Sequence, residues 1–286
     1  MSATSYGYDD DWRLTPRPKR VDYLRKDLAS RHVITHSPIT FDPVKKEPTG
    51  FVLGKVTREP TGIARPPSKE SGRAPKPTPE YYNIASQPPC RLPEPRKILV
   101  VLDLNGTLVD RPNYAKPASI VVRRWTKRFL AYCLNTFSVV IWSSAMERNV
   151  YGMSYRIIPE SERGKVVALW GREKFGLSDS DFRKKVLCYK RLEMLWNDPE
   201  IAAAHPQAAE GKTWSQLDTV LVDDSPLKAQ SHPYNLIRIP EFIWDKEDPG
   251  EVLPQVHNYL NECSRQANIS AFIKNSPFKM DPKFVI

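Results

Sequence analysis

Short, continuous apolar runs rich in β-branched residues recur along the chain from residue 97 onward. The clearest are KILVVLDL (97–104), SVVIWSS (138–144) and DTVLVDD (218–224); VVALW (166–170) and LIRI (236–239) are weaker versions. Such runs suit the strands of a parallel sheet covered on both faces. Between them, the spacing of apolar positions predicts helices over roughly 119–135, 146–155, 184–197 and 251–265. Strands alternating with helices predict an α/β domain with a mainly parallel central sheet, here 97–265. In such sheets ligands bind beyond the carboxyl ends of the strands.

Residues 1–96 read differently. They hold 15 of the 27 prolines, few periodic apolar positions, and a short echo, KEPTG at 46–50 and REPTG at 58–62. A segment that buries so little cannot offset its own chain entropy, so it is expected to be a disordered or extended Pro-rich arm. It is also basic, with 17 Lys and Arg against 11 Asp and Glu, which gives it more than half of the chain's net charge of +10. One reading is a solvated linker. The other is an arm lying along a large assembly, with Tyr8, Trp12, Tyr23, Phe41, Phe51, Tyr81 and Tyr82 as anchors between the basic residues; the charge favours an acidic partner, be it RNA, DNA or a phosphorylated chain, and does not choose among them. At the other end, 266–286 form a C-terminal extension that either packs back through Phe272, Phe278 and Phe284 or widens the partner surface.

Composition narrows the setting. Cys90, Cys133, Cys188 and Cys263 are far apart and form no Cys-x-x-Cys pair, which suits a reducing compartment better than a disulfide scaffold or zinc cluster. No apolar run is long enough for a membrane span, and the acidic start MSATSYGYDDDWRL lacks the character of a presequence. The expectation is a nuclear or cytoplasmic protein, neither secreted nor membrane-bound. The histidines His205, His232 and His257 have no metal-ligand spacing and read as structural. Arg123, Arg124, Lys127 and Arg128 predict a basic helical face, either solvated or touching phosphates.

The chemistry concentrates where apolar runs end. Asp103 with Asn105 and Thr107, Ser143 with Ser144, and Asp223 with Asp224 each close one of the three strongest runs. If neighbouring strands bring these ends together, carboxylates and hydroxyls converge on one crevice, a setting for Mg²⁺ and a phosphate. Lys190, on the predicted helix before the last acidic strand, could balance a phosphoryl group. Taken singly, each has a plainer explanation. An Asp after a strand can cap a turn, Asp-Asp-Ser-Pro is good turn sequence, Ser143 can be a simple strand-end hydroxyl, and Lys184 and Lys185 share the predicted helix with Lys190.

In order, DLNGTLV (103–109), VVIWSSA, a lysine and VLVDDSPLKAQSHPYNLI resemble the haloacid dehalogenase superfamily, and within it the NLI-interacting-factor-like branch that contains the small phosphatases of the RNA polymerase II C-terminal domain. The resemblance covers about 97–262 and implies a HAD-like Rossmannoid fold. It also implies that Asp103 is the nucleophile forming an aspartyl phosphate. Mg²⁺ would be held by Asp103, the backbone carbonyl of Asn105, and Asp224 with Asp223. Ser143 and Lys190 would neutralise the transferred phosphoryl group, with Gly106, Thr107 and Ser144 on the phosphate side and Thr107 also bracing the loop.

One position departs from the family pattern. Where Asn105 stands, active members carry a second Asp that protonates the leaving oxygen and later activates water. An amide cannot give up and retrieve a proton at neutral pH. Metal binding should survive and turnover should suffer. Two functions follow: a degenerate phosphatase-like module docked on a large assembly, or an active Mg²⁺-dependent phosphatase acting on phosphoserine or phosphothreonine in a phosphoprotein. A relative of the inner-membrane translocase subunit that shares this domain fits poorly without a span or presequence. The stretch 197–216 reads as a helical or looped insertion of unassigned role.

Overall fold

A computed structural model describes residues 64–112, 119–284 and 286. The expectations for residues 1–63, including the repeated pentapeptide and the anchors Tyr8, Trp12, Tyr23, Phe41 and Phe51, lie outside the described residues.

The five apolar runs form one parallel sheet. β1 (Leu99–Leu102) lies at its centre, flanked by β4 (Ser138–Trp142) and β6 (Thr219–Asp223), with β5 (Val166–Trp170) and β7 (Leu236–Arg238) at the edges. The sheet is parallel throughout. Alternate residues of each strand enter opposite cores. Val100, Leu102, Val139, Ile141, Val220 and Val222 face one cluster, while Leu99, Val101, Val140, Trp142 and Leu221 face the other, so every position of the three inner strands is buried. This is why these strands read as unbroken apolar runs rather than as alternation. Leu102 pairs with both Ile141 and Val222, so the register sets the tips of β1, β4 and β6 nearly level.

A short antiparallel pair, β2 (Val109–Asp110) and β3 (Val121–Val122), follows β1 and was not foreseen. The helix expected over 119–135 accordingly starts later, as α2 (Thr126–Thr136), after a left-handed Trp125 at φ 69°. α3 (Glu147–Ile157) and α7 (Val252–Ser264) stand close to the expected spans. The helix expected over 184–197 is corrected. Residues 183–192 cross the sheet face without regular structure, pressing Cys188, Tyr189 and Leu192 into the core, and only the short α5 (Glu193–Trp196) follows. The stretch 197–216 holds α6 (Pro199–Ala202) and a 3₁₀ turn, and its Trp214 is buried with the indole N–H donating to the Ile201 carbonyl at 2.9 Å. α4 (Asp179–Phe182) is a single turn capped by Ser178.

The domain is larger at both ends than 97–265. From residue 64 the chain is tied to it: Leu187 N–H donates to the Arg65 carbonyl at 2.9 Å, and Ser68 and Ser71 donate to Asp181 at 2.7 and 2.6 Å. α1 (Pro79–Ala85) starts at a Thr78 cap with proline in its first turn and buries Tyr81, whose hydroxyl donates to Asn235 at 3.0 Å. It packs on α8 (Ile269–Asn275), which belongs to the segment expected to be an extension. Of the three phenylalanines named for that segment, Phe272 and Phe278 pack against the core. Chain on either side of 97–265 that looks extended by composition is held by capping, aromatic burial and backbone hydrogen bonds.

Candidate active site

β1 and β6 run side by side, and their ends carry acids. The Asp103 N–H donates to the Val222 carbonyl at 3.1 Å, extending the strand pairing one residue and placing Asp103 beside Asp223. The chain then turns sharply at Gly106, at φ +83°. Glycine is needed there twice over, since a Cβ would fall 3.0 Å from an Asp224 carboxylate oxygen and 3.2 Å from the Glu241 side chain. The turn is pinned by Gly106 N–H to the Val109 carbonyl at 2.8 Å and by Phe242 N–H to the Gly106 carbonyl at 2.7 Å.

Asp103, Asp223 and Asp224 converge. One oxygen of each lies within 4.8 Å of the other two, the only such grouping of three acidic, histidine or cysteine side chains among the described residues. Asp103 and Asp223 are buried, and the Asp224 side chain is 15% exposed. Two lysines answer them. The fully buried Lys190 ammonium lies 2.9 Å from Asp103 Oδ1 and 2.6 Å from Asp223 Oδ2. The Lys228 ammonium lies 2.8 Å from Asp103 Oδ2, 3.3 Å from Asp223 Oδ1 and 3.5 Å from Asp224 Oδ1. Both oxygens of Asp103 are thus engaged, each by a different lysine. The Lys190 N–H donates to the Lys228 carbonyl at 2.7 Å, which fixes the two residues next to each other.

The electrostatics follow from burial and charge count. Burial works to raise the Asp223 carboxyl, but the Lys190 and Lys228 charges outweigh it and hold the group below its ordinary range. Asp224 goes the other way: burial, with Asp103, Asp223 and Glu241 nearby, pushes it up to about 7 against the pull of Lys228. Burial acts to lower the Lys228 ammonium, yet the three carboxylates together raise it well above an ordinary lysine. Three acids against two lysines leave an excess of negative charge.

The other expected site residues are placed as follows. Thr107 is buried, its hydroxyl 3.5 Å from Asp224 Oδ1. Ser143 is buried just past the end of β4, and its hydroxyl accepts from the Ala145 N–H at 3.4 Å, while Ser144 beside it is partly exposed. The Asn105 side-chain oxygen is buried without a hydrogen-bond partner. The oxygen donors fit a hard divalent cation, and the Lys228 ammonium, touching all three acids, is a stand-in that marks a position built for positive charge.

The family of NLI interacting factor-like phosphatases matches residues 98–270, well over half of the chain. The chain belongs to that family. An uncharacterised FCP1 homology domain-containing protein of Schizosaccharomyces pombe is 32% identical over 218 residues, covering 72% of this chain and 87% of that protein. A solved structure titled "The Structure of Fcp1, an essential RNA polymerase II CTD phosphatase" aligns with a TM-score of 0.35 and 14% identity, over 65% of this chain and only 56% of that one.

Within this phosphatase-like domain, two basic residues were misread from sequence. Lys228 was not singled out, although it stands four residues after Asp224 in a turn-rich stretch, a spacing that lets the two side chains meet. Arg123 was assigned to a basic helical face. It is corrected to a buried residue ahead of α2, donating to Asp248 at 2.6 and 2.7 Å, to the Thr107 carbonyl at 3.0 Å and to the Pro240 carbonyl at 3.1 Å. Arg124 pairs with Glu251. Of the histidines, His205 lies against Trp214 and 3.6 Å from Asp218, and burial takes His232 down to about 4. Among the described residues no helix is long and apolar enough to cross a membrane.

Proposed function

We propose that this is a HAD-type phosphatase-like domain that binds a divalent cation, Mg²⁺ in the cell, but turns over slowly or not at all, and that it serves as a docking factor on a large RNA-containing assembly through its basic N-terminal arm. The observation that carries the reading is Asn105. It stands two residues past Asp103, at the position where active family members carry the Asp that protonates the leaving oxygen, and an amide cannot give up and retrieve a proton at neutral pH. Asp103, Asp223 and Asp224 would hold the cation, with the Asn105 backbone carbonyl as a further oxygen donor; when bound, it would offset charge on a phosphoryl group. Lys190 orients Asp103 and Asp223 through contacts of 2.9 and 2.6 Å, and its charge, with that of Lys228, holds the Asp223 carboxyl below its ordinary range.

The test is Asn105→Asp, with an aryl phosphate and Mg²⁺. General acid-base catalysis contributes about 10² to 10⁴ in rate, so a gain of that order from a near-zero start is the expected result. A natural chain that already hydrolyses phosphoserine peptides at ordinary enzyme rates sinks the reading. It would establish the alternative, an active phosphoserine or phosphothreonine protein phosphatase, which is favoured by the convergence of Asp103, Lys190, Asp223 and Asp224. The docking role rests on the charge of residues 1–96 and predicts RNA binding by the full chain that weakens linearly with the logarithm of salt. A nuclear or cytoplasmic location belongs to the same proposal, supported by the four free cysteines.

A further inference from the structure

The two lysines at the acid cluster are not equivalent. Lys190 is fully buried and touches two acids, Asp103 and Asp223. Lys228 touches all three candidate metal ligands, and its side chain remains 16% exposed. It is carried on the turn after Asp224, where its own N–H donates to the Ser225 carbonyl at 3.2 Å, and its neighbour Leu227 is 55% exposed. One lysine is walled in; the other has a short path to solvent.

We propose that the Lys228 ammonium is a tethered counter-cation that competes with a divalent ion for Asp103, Asp223 and Asp224, so that the site alternates between a lysine-closed and a metal-loaded state. The inference rests on the reading of these carboxylates as a metal site. A dication and an ammonium sharing the same three oxygens would repel strongly in so buried a space. Charge favours exchange over co-occupancy. With Lys228 swung out and Asp224 ionised, three carboxylates against Lys190 leave two negative charges, the amount one divalent ion cancels. In the closed state Lys228 also holds Asp103 Oδ2, the oxygen that Lys190 leaves free, so the nucleophile has no uncommitted oxygen until Lys228 departs. Departure of Lys228 and binding of the ion through Asp103 Oδ2 are therefore one event.

Calorimetric titration of the full chain with MgCl₂ and with MnCl₂ tests this, comparing the natural chain with Lys228→Gln and, as a control for net charge alone, with Lys246→Gln on an exposed loop. Lys228→Gln is expected to tighten metal binding by on the order of tenfold or more, a coupling typical of competing ligands, and Lys246→Gln to leave it within about twofold. Equal affinity for the natural chain and a folded Lys228→Gln overturns the competition while leaving the metal site standing. Absence of binding to either overturns the metal reading and this inference together. A second measurement needs no variant: labelling of the natural chain with an amine-reactive reagent, read by mass spectrometry. Labelling of Lys228 should rise on adding Mg²⁺ while Lys190 stays protected, and unchanged Lys228 labelling in metal-bound protein refutes the exchange.

Discussion

Two buried basic clusters flank the same turn, residues 104–108, and they balance charge in different ways. On one side Arg123 meets a single carboxylate, Asp248, in a two-pronged contact, and spends its remaining donors on the Thr107 and Pro240 carbonyls. Its partners are matched in number and its planar donors in geometry, the arrangement of a brace. On the other side Lys190 and Lys228 meet three acids, leaving an excess of negative charge and one partly exposed lysine. Lysine presents a point charge on a flexible stem, with none of the fixed fork of arginine. A balanced cluster holds the turn, whereas an unbalanced one is poised to exchange its cation.

The largest effect should come from Lys190→Met, which tests whether the unbalanced side also has a structural half. Lys190 is fully buried, and its removal leaves Asp103 and Asp223 with one fewer cation in a water-poor site. Loss of one partner of a buried ion pair costs about 3–5 kcal/mol. Urea denaturation of the metal-free chain should show a loss of this size; a loss below about 1 kcal/mol would mean that Lys228 alone suffices and that the two lysines are interchangeable.

Arg123→Met comes next. It strands Asp248, whose side chain is 19% exposed and so partly reached by water, and unpairs two carbonyls, for a loss of roughly 2–4 kcal/mol. If the comparison is right, metal affinity in this variant barely changes, because Arg123 contacts none of the three candidate ligands. A folded Arg123→Met chain that lost metal binding as fully as an Asp223→Asn chain would merge the two clusters into one.

How much of this was legible in the sequence follows from the same physics. The five strands and the acids at their tips were readable because a strand buried on both faces must be apolar along its length, and a break into Asp at a parallel strand end is conspicuous. The helix expected over 184–197 failed because Val186, Cys188, Tyr189, Leu192 and Leu195 have near-helical spacing, yet they serve a chain that crosses the sheet face without regular structure, and periodicity cannot tell the two apart. Tyr81 was named as a possible anchor on a partner, but it anchors its own domain through Asn235; Thr78 and Pro79 gave a helix-start signal that the proline-rich texture masked. Arg123 lay beyond local reading, since its role is fixed by Asp248, 125 positions away. Lys228 offered one local signal, its spacing of four from Asp224, but its contact with Asp103, also 125 positions away, has no local pattern to encode it.

The smallest effect asks whether the charge excess is felt as stability. Asp224 titrates at about 7 in the folded chain because it is buried among other acids, whereas an unfolded Asp titrates near 4. A group whose folded value is raised favours the fold when protonated. Its contribution is fully present below about pH 4 and is lost as pH rises through 7. The metal-free natural chain should therefore lose on the order of 2 kcal/mol between pH 5 and pH 8 through this carboxyl. Asp224→Asn should flatten that part of the profile, since an amide pays no ionisation cost, while Asp248→Asn on the balanced side should leave the slope in place. Denaturation midpoints across that range, measured with a chelator present, decide it. Equal slopes in the natural and Asp224→Asn chains would mean that Lys228 already satisfies the third acid, and the difference drawn between the two clusters would then lie in geometry alone.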